Sequence, residues 1–268
     1  MAPGVTPIAV DRKDRSAFAK AIADVGVKWD LAVDCIGYSA DDARSDVEAL
    51  SGRASQLVFI STDFVFDSPD RPWKVDETFE RFERTIPYGR GKREAELALF
   101  DGAAKSKLCA TVFRPCHIYG LGSQLGCSPM HGRDVELIDR LRRGETLCLV
   151  AGGRLLQQPV FCEDLWTMAI STLGNPRVAG QVYLSPGPDV IESRDYYRIV
   201  ADTLGVGLSI EEVPMSEHLR EKPDDRPHCC HRVYSTDKAK AHGLAVPSTP
   251  VAVGLARHVR DILRVRGE

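Results

Sequence analysis

The 268-residue sequence has no apolar run near the ~20 residues that a membrane-spanning helix needs. Its N-terminus has no basic stretch followed by an apolar core, so no secretory signal is read there. It lacks a strong charge bias. Its 35 Lys and Arg stand against 38 Asp and Glu, for a formal net charge of −3. That balance gives no reason to expect nucleic acid or an anionic membrane as partner. There is no internal repeat and no low-complexity tract. No nucleophilic Ser or Cys triad is visible either, because Ser61 has no G-x-S-x-G context. The eight cysteines (35, 109, 116, 127, 148, 162, 229 and 230) do not read as a disulfide framework in a chain this long. Cys35, Cys109, Cys148 and Cys162 sit in or beside apolar runs, where a thiol acts as a small hydrophobe. A reducing, cytoplasmic setting is the expectation.

What is present alternates. Strands are expected at Thr6–Val10, Leu31–Ile36, Gln56–Ser61 and Leu108–Arg114. Helices are expected at Ser16–Val25, Asp41–Leu50 and, with Pro in its first turn, Pro87–Phe100. Strand–helix alternation with nearly continuous apolar strands points to an α/β fold, a parallel sheet covered by helices on both faces. Residues 67–86 are polar with scattered aromatics and read as a loop. After Pro115 the character changes. Residues 120–132 are rich in Gly and Ser, and 216–232 are polar and contain Pro. Helices are expected at Val135–Arg142, Asp164–Leu173, Ser193–Leu204 and Val251–Val265. Strands are expected at Thr146–Val150, Gln181–Leu184 and Leu208–Val213. This second half reads as a smaller α+β region over the first.

The clearest chemical signal is Tyr88 with Lys92, four residues apart and therefore on one helical face. An ammonium beside a phenol lowers its pKa from about 10, which suits general acid–base work on an alcohol or carbonyl. The apolar strand ending at Ile60 delivers Ser61-Thr62-Asp63 to the strand end at which α/β folds bind ligands. Arg114-Pro115 and Ile118-Tyr119-Gly120 follow the next strand. Among other candidates, His228-Cys229-Cys230-His231 has adjacent cysteines that do not converge on one ion, so no metal is expected. His117 is a candidate acid or base, or a packed loop histidine. Arg114 is expected to anchor its loop. Arg140, Arg142 and Arg143 read as a solvated helix end.

The order ISTDFVFD (60–67), YGRGK (88–92) and RPCHIYG (114–120) resembles the extended short-chain dehydrogenase/reductases, the NAD-dependent epimerase/dehydratase family. DLAVDCIGYS (30–39), GGRLLQQPVFCEDLWTMAI (152–170) and YSTDKAKAHGLAVPSTP (234–250) resemble further segments of it. The STDFVFD wording is nearest to the sugar-nucleotide reductases that act on a 4-keto-deoxysugar. The resemblance implies a Rossmann-like cofactor domain over 1–120, with helix 160–174 packing back on it, and a substrate region over 121–268. It implies that Thr62 hydrogen-bonds the reacting oxygen, Tyr88 transfers its proton, and Lys92 lowers the Tyr88 pKa and binds the nicotinamide ribose of NAD or NADP. Asp11, Cys35, Ile36, Gly37, Ser61, Pro115 and Ile118 would line the cofactor. Arg154 and Arg232, as bidentate phosphate clamps, and His117 would meet a sugar or nucleotide-sugar. A homodimer paired through the Tyr-Lys helix is also implied.

One part of the pattern has no counterpart. The family's first strand, Gly-rich phosphate turn, first helix and second strand are missing, because MAPGVTPIAVDRKD aligns with its third strand. Gly120, Gly122 and Gly126 have the wrong spacing to replace that turn. Three readings stay open: a truncated enzyme, a shortened relative without cofactor, or weak cofactor binding. Exposed sheet edges predict a partner chain or poor solubility. The function expected is NAD(P)-dependent oxidation, reduction or epimerisation at a sugar hydroxyl or carbonyl. The alternative is a degenerate binding or regulatory module that keeps the fold.

Overall fold

A computed structural model describes residues 4–67, 71–106 and 108–268. In chain order come α1 (Arg15–Asp24), β1 (Trp29–Asp34), α2 (Ala40–Leu50), β2 (Ala54–Ile60), α3 (Pro87–Ser106) and β3 (Cys109–Arg114). Then follow β4 (Ile118–Tyr119), α4 (Leu137–Arg142), β5 (Thr146–Val150), β6 (Leu156–Gln157), β7 (Val160–Phe161) and α5 (Cys162–Ile170). The remainder is β8 (Gln181–Leu184), β9 (Ile191–Glu192), α6 (Ser193–Leu204), β10 (Ser209–Val213), α7 (Met215–Glu221), α8 (Asp237–Ala241) and α9 (Val251–Arg266).

The main sheet has the order β1-β2-β3-β8 with every pairing parallel. This is the covered, Rossmann-like parallel sheet that the apolar strands predict. Side chains alternate across β2. Leu57 and Phe59 join Ala95, Leu99, Ala110 and Val112 under α2 and α3. Val58 faces the other way, with Phe113, Met168 and Tyr183, toward α5 and α8. Helix α2 starts where it does because Ser39 and Asp42 form a capping box. A separate region gathers β5 and β10, a parallel pair, around a second core that includes Leu137, Leu147, Tyr196, Tyr197, Val200 and Leu255.

Two expectations change. Thr6–Val10 is not a strand: these residues are mostly exposed and have no ladder partner among the described residues. The segment is short and mostly apolar, but a strand exists only against a neighbour. Residues 216–232 hold α7 and a 3₁₀ turn over Pro223–His228 where the polar, Pro-containing sequence gave no helical period. Of the loop expected over 67–86, residues 68–70 lie outside the described residues, as do 1–3 of the opening segment. Helix α3 runs on beyond Phe100 to Ser106. Among the described residues no helix is long and apolar enough to cross a membrane.

Candidate active site

The site is built on the end of β2. The Ser61 amide donates to the Phe113 carbonyl (2.7 Å) and the Asp63 amide to the Pro115 carbonyl (3.0 Å). The segment Ser61-Thr62-Asp63 therefore keeps its register with β3 after the strand has ended. Thr62, extended at φ −160°, accepts from the Phe64 amide and caps a short 3₁₀ turn.

Helix α3 crosses this turn at its first residues, close enough that glycine is required. A β-carbon on Gly89 would stand 2.0 Å from the Phe64 carbonyl oxygen, and one on Gly91 would stand 2.8 Å from that of Tyr38. The close approach brings the Tyr88 ring against Phe64 and Tyr38, at centroid distances of 6.1 and 6.3 Å. The Thr62 hydroxyl is near enough to the phenol to favour its ionisation. Tyr88 as a whole remains 45% exposed.

The Tyr88–Lys92 electrostatics differ from the sequence expectation. The Tyr88 phenol titrates above its ordinary value: burial raises it, and the Thr62 hydroxyl only partly offsets that. Lys92 does not turn its ammonium toward the phenol. It donates to the Gly37 and Ile60 carbonyls, both at 2.7 Å, and lies over the rings of Phe59 (4.8 Å) and Tyr38 (4.9 Å). Helical spacing puts two residues on one face, but the carbonyls beneath that face decide where the cation points. Burial brings Lys92 down to about 8.

Two buried ion pairs flank these groups. Glu96, one turn beyond Lys92, is fully enclosed and accepts from Ser61 Oγ (2.6 Å), Arg114 Nε (2.9 Å) and Arg114 Nη2 (2.6 Å). Burial opposes its charge, but Arg114 and Ser61 hold its carboxyl below the usual range. Arg114 thus anchors its loop. Asp63, also fully enclosed, accepts from Arg232 Nε (2.7 Å), Arg232 Nη2 (2.8 Å) and the Tyr234 hydroxyl (2.5 Å). Against burial, Arg232 keeps it anionic.

The structure gives the three substrate-side candidates different surroundings. Arg232 is 2% exposed, and its guanidinium is divided between Asp63 and Gln157, so it is not a surface phosphate clamp. A buried guanidinium stays buried only when its donors are matched, and here the protein matches them. His117 Nε2 is enclosed without a partner, its ring edge lies on Tyr196, and burial pushes it down to about 3. At neutral pH that imidazole is uncharged. Arg154 is exposed and pairs with Glu212 at 2.5 Å, away from the Thr62–Tyr88 contacts.

Of the cofactor-side residues, the structure gathers Gly37, Ser61 and Lys92, all buried. Pro115 is buried, with its carbonyl on Asp63, and Ile118 is 38% exposed. Cys35 and Ile36 lie exposed on the loop after β1. Asp11 is exposed and accepts from the Lys13 amide at 2.9 Å. His228 packs on Phe64 at 4.5 Å, and His231 Nδ1 accepts from the Leu156 amide. All eight cysteines are free thiols. Sequence reasoning missed Glu96, although its four-residue spacing from Lys92 was a usable signal. It also missed the Asp63–Arg232 pair, whose members are 169 positions apart.

Comparison with known proteins places these groups in context. The family model described as the NAD dependent epimerase/dehydratase family matches residues 17–184. No curated protein sequence is significantly similar to this one. Among solved structures, the dTDP-glucose 4,6-dehydratase DesIV of Streptomyces venezuelae is 21% identical, covers 99% of this chain and 82% of its own, and has a TM-score of 0.76. The UDP-glucose 4-epimerase of Thermotoga maritima is 18% identical, with 96% and 83% covered and a TM-score of 0.73. The UDP-glucuronic acid 4-epimerase of Bacillus cereus is 15% identical, with 96% and 80% covered and a TM-score of 0.72. At these identities the structural likeness is one of fold.

Proposed function

Because the chain belongs to the NAD-dependent epimerase/dehydratase family, we propose that it is an NAD(P)-dependent oxidoreductase or epimerase acting on a sugar or nucleotide-sugar hydroxyl or carbonyl. The observation that carries this reading is a half-exposed Tyr88 packed on Phe64 of the turn that Thr62 caps, with the buried Lys92 one helical turn on. Thr62 and Tyr88 would hold the reacting oxygen from one side. Tyr88 would give its proton to a carbonyl oxygen or take one from a hydroxyl. Lys92 would keep positive charge under the site. Residues 1–120 would form the cofactor half and 121–268 the substrate half, working as a homodimer in a reducing compartment.

The family's cofactor fits in part. An ammonium has three N–H donors. Lys92 uses two on the Gly37 and Ile60 carbonyls, which leaves one for a ribose hydroxyl. Helix α1 is capped by Asp14, and α2 carries Asp41 and Asp42 in its first turn, so carboxylates stand where an anion would bind. When bound, the dinucleotide would supply and accept the hydride.

The carboxylates at the starts of α1 and α2 favour a second reading, a binding or regulatory module that keeps the fold without turnover. Titration of NADH and NADPH against the protein, followed by fluorescence, separates the two. Saturable micromolar binding weakened by Lys92→Ala supports the enzyme; no binding at millimolar cofactor overturns it in favour of the module.

A further inference from the structure

Asp34 closes β1 and is the only buried residue of that strand. Its Oδ1 accepts from three donors: the Ile36 amide (2.8 Å), the Gly37 amide (2.9 Å) and Arg12 Nη1 (2.9 Å). The turn it pins contributes the Gly37 carbonyl to Lys92 Nζ at 2.7 Å. The carboxylate lies so close to Gly37 that a β-carbon there would be 2.2 Å from Asp34 Oδ2 and 2.6 Å from Phe59.

Behind Asp34 stands Asp46, 2% exposed and bonded to Arg12 Nη2 at 2.8 Å. Neither Asp34 Oδ2 nor Asp46 Oδ2 has a donor from the rest of the protein. Arg12 bridges the two carboxyls, and at neutral pH they carry one proton between them. Burial and the neighbouring Asp34 push Asp46 up to about 8, and Asp46 therefore holds that proton at neutral pH. For Asp34, burial opposes charge, but the Asp46 carboxyl, the Ile36 amide and Arg12 keep it ionised. It can then accept from all three of its donors at once.

We propose that Asp34 is a positioning residue for Lys92: it fixes the Gly37 carbonyl that orients the ammonium and supplies part of the negative field that keeps it charged. The meaning of this for turnover rests on the proposed function above; the geometry does not. The charged and titratable groups acting on Lys92 are Asp34, Glu96 and Cys35, which favour its charge, and Arg12, which opposes it. The rings of Tyr38 and Phe59 lie beside it.

The test follows the 13Cε resonance of Lys92 against pH in lysine-labelled full chain, assigned with Lys92→Arg. The wild-type midpoint is expected near about 8. Asp34→Asn keeps an acceptor for the two amides and removes the charge. Its midpoint should fall by roughly one pH unit, the usual effect of losing a nearby opposite charge. Arg12→Ala should move the midpoint the other way, which keeps the test decisive if Asp34→Asn does not fold. Val47→Ala, a packing change in the same core, should leave the midpoint in place. A folded Asp34→Asn protein that keeps the wild-type midpoint, or an Arg12→Ala protein whose midpoint falls or stays, overturns the proposal. If the midpoint shifts as stated but no cofactor binds, the positioning role stands and the enzyme reading fails. If cofactor binds but the midpoint is unmoved, the reverse holds.

Discussion

Strands β1 and β2 lie side by side in one sheet, yet five of the seven residues of β2 are buried, against one of the six in β1. Helix α1, which precedes β1, buries none of its residues. What secures this flank is charge: Arg12 on Asp34 and Asp46, and Lys13 on Asp42 at 3.0 Å. The centre is secured by apolar packing around Leu57, Phe59 and Leu99 and by two enclosed ion pairs. Thr62, Tyr88 and most of the surroundings of Lys92 stand on the centre. The Gly37 carbonyl and the Tyr38 ring are the contacts that Lys92 takes from the flank. Few buried apolar contacts mean low local stability, so the flank should open before the site does.

That contrast can be broken from the centre first. Asp63→Ala leaves Arg232 charged and enclosed, and removal of one partner of a buried pair costs about 3–5 kcal/mol. It should give the largest drop in Tm of the substitutions considered. Leu99→Ala should follow, at about 2–5 kcal/mol for a cavity in an enclosed core. Arg12→Ala should cost less, about 1–3 kcal/mol for lost charge-assisted hydrogen bonds. It should accelerate amide exchange in residues 15–34 while β2 and β3 keep their protection. Ile22→Ala on α1, only partly buried, should stay under about 1.5 kcal/mol, below the range for enclosed sites. If Arg12→Ala loosened β2 as much as β1, the two would be one cooperative unit.

The two parts should also answer pH in opposite senses. Glu96 and Asp63 have folded pKa values below their unfolded ones. Their stabilisation is present above about pH 4 and is lost as pH falls through the folded values. Asp46 is raised, to about 8. The folded chain there holds a proton that the unfolded chain has released, so its contribution weakens as pH rises from about 4 toward 8. Exchange protection, corrected for intrinsic rates, should decline in residues 29–34 between pH 5 and 8 and stay level in β2 and β3. A uniform response would remove the distinction.

Much of this was legible in sequence. Buried parallel strands have apolar runs with no polar face, so β2 and β3 could be placed nearly to the residue. Tyr88, Lys92 and the Ser61–Asp63 turn could be found from helical spacing and strand ends, because both are local rules. What was not legible depends on contacts distant in sequence. Arg232 looks like any arginine in a polar stretch until the fold brings Asp63 to it. The ammonium of Lys92 has its direction set by carbonyls of two other segments, and no period in α3 encodes them. Thr6–Val10 is a short apolar run with no neighbouring strand among the described residues.

The glycines of α3 carry a consequence of a different kind. Gly89 and Gly91 lie between Tyr88 and Lys92, where each costs helix stability relative to alanine, and neither touches a proton. Yet each sets a distance, one to the Phe64 carbonyl and the other to that of Tyr38. A saturation scan of residues 87–93 would therefore score these two positions among the least tolerant, beside Tyr88 and Lys92. The transplantable unit for an engineer is accordingly the whole pentapeptide YGRGK with both loops it touches.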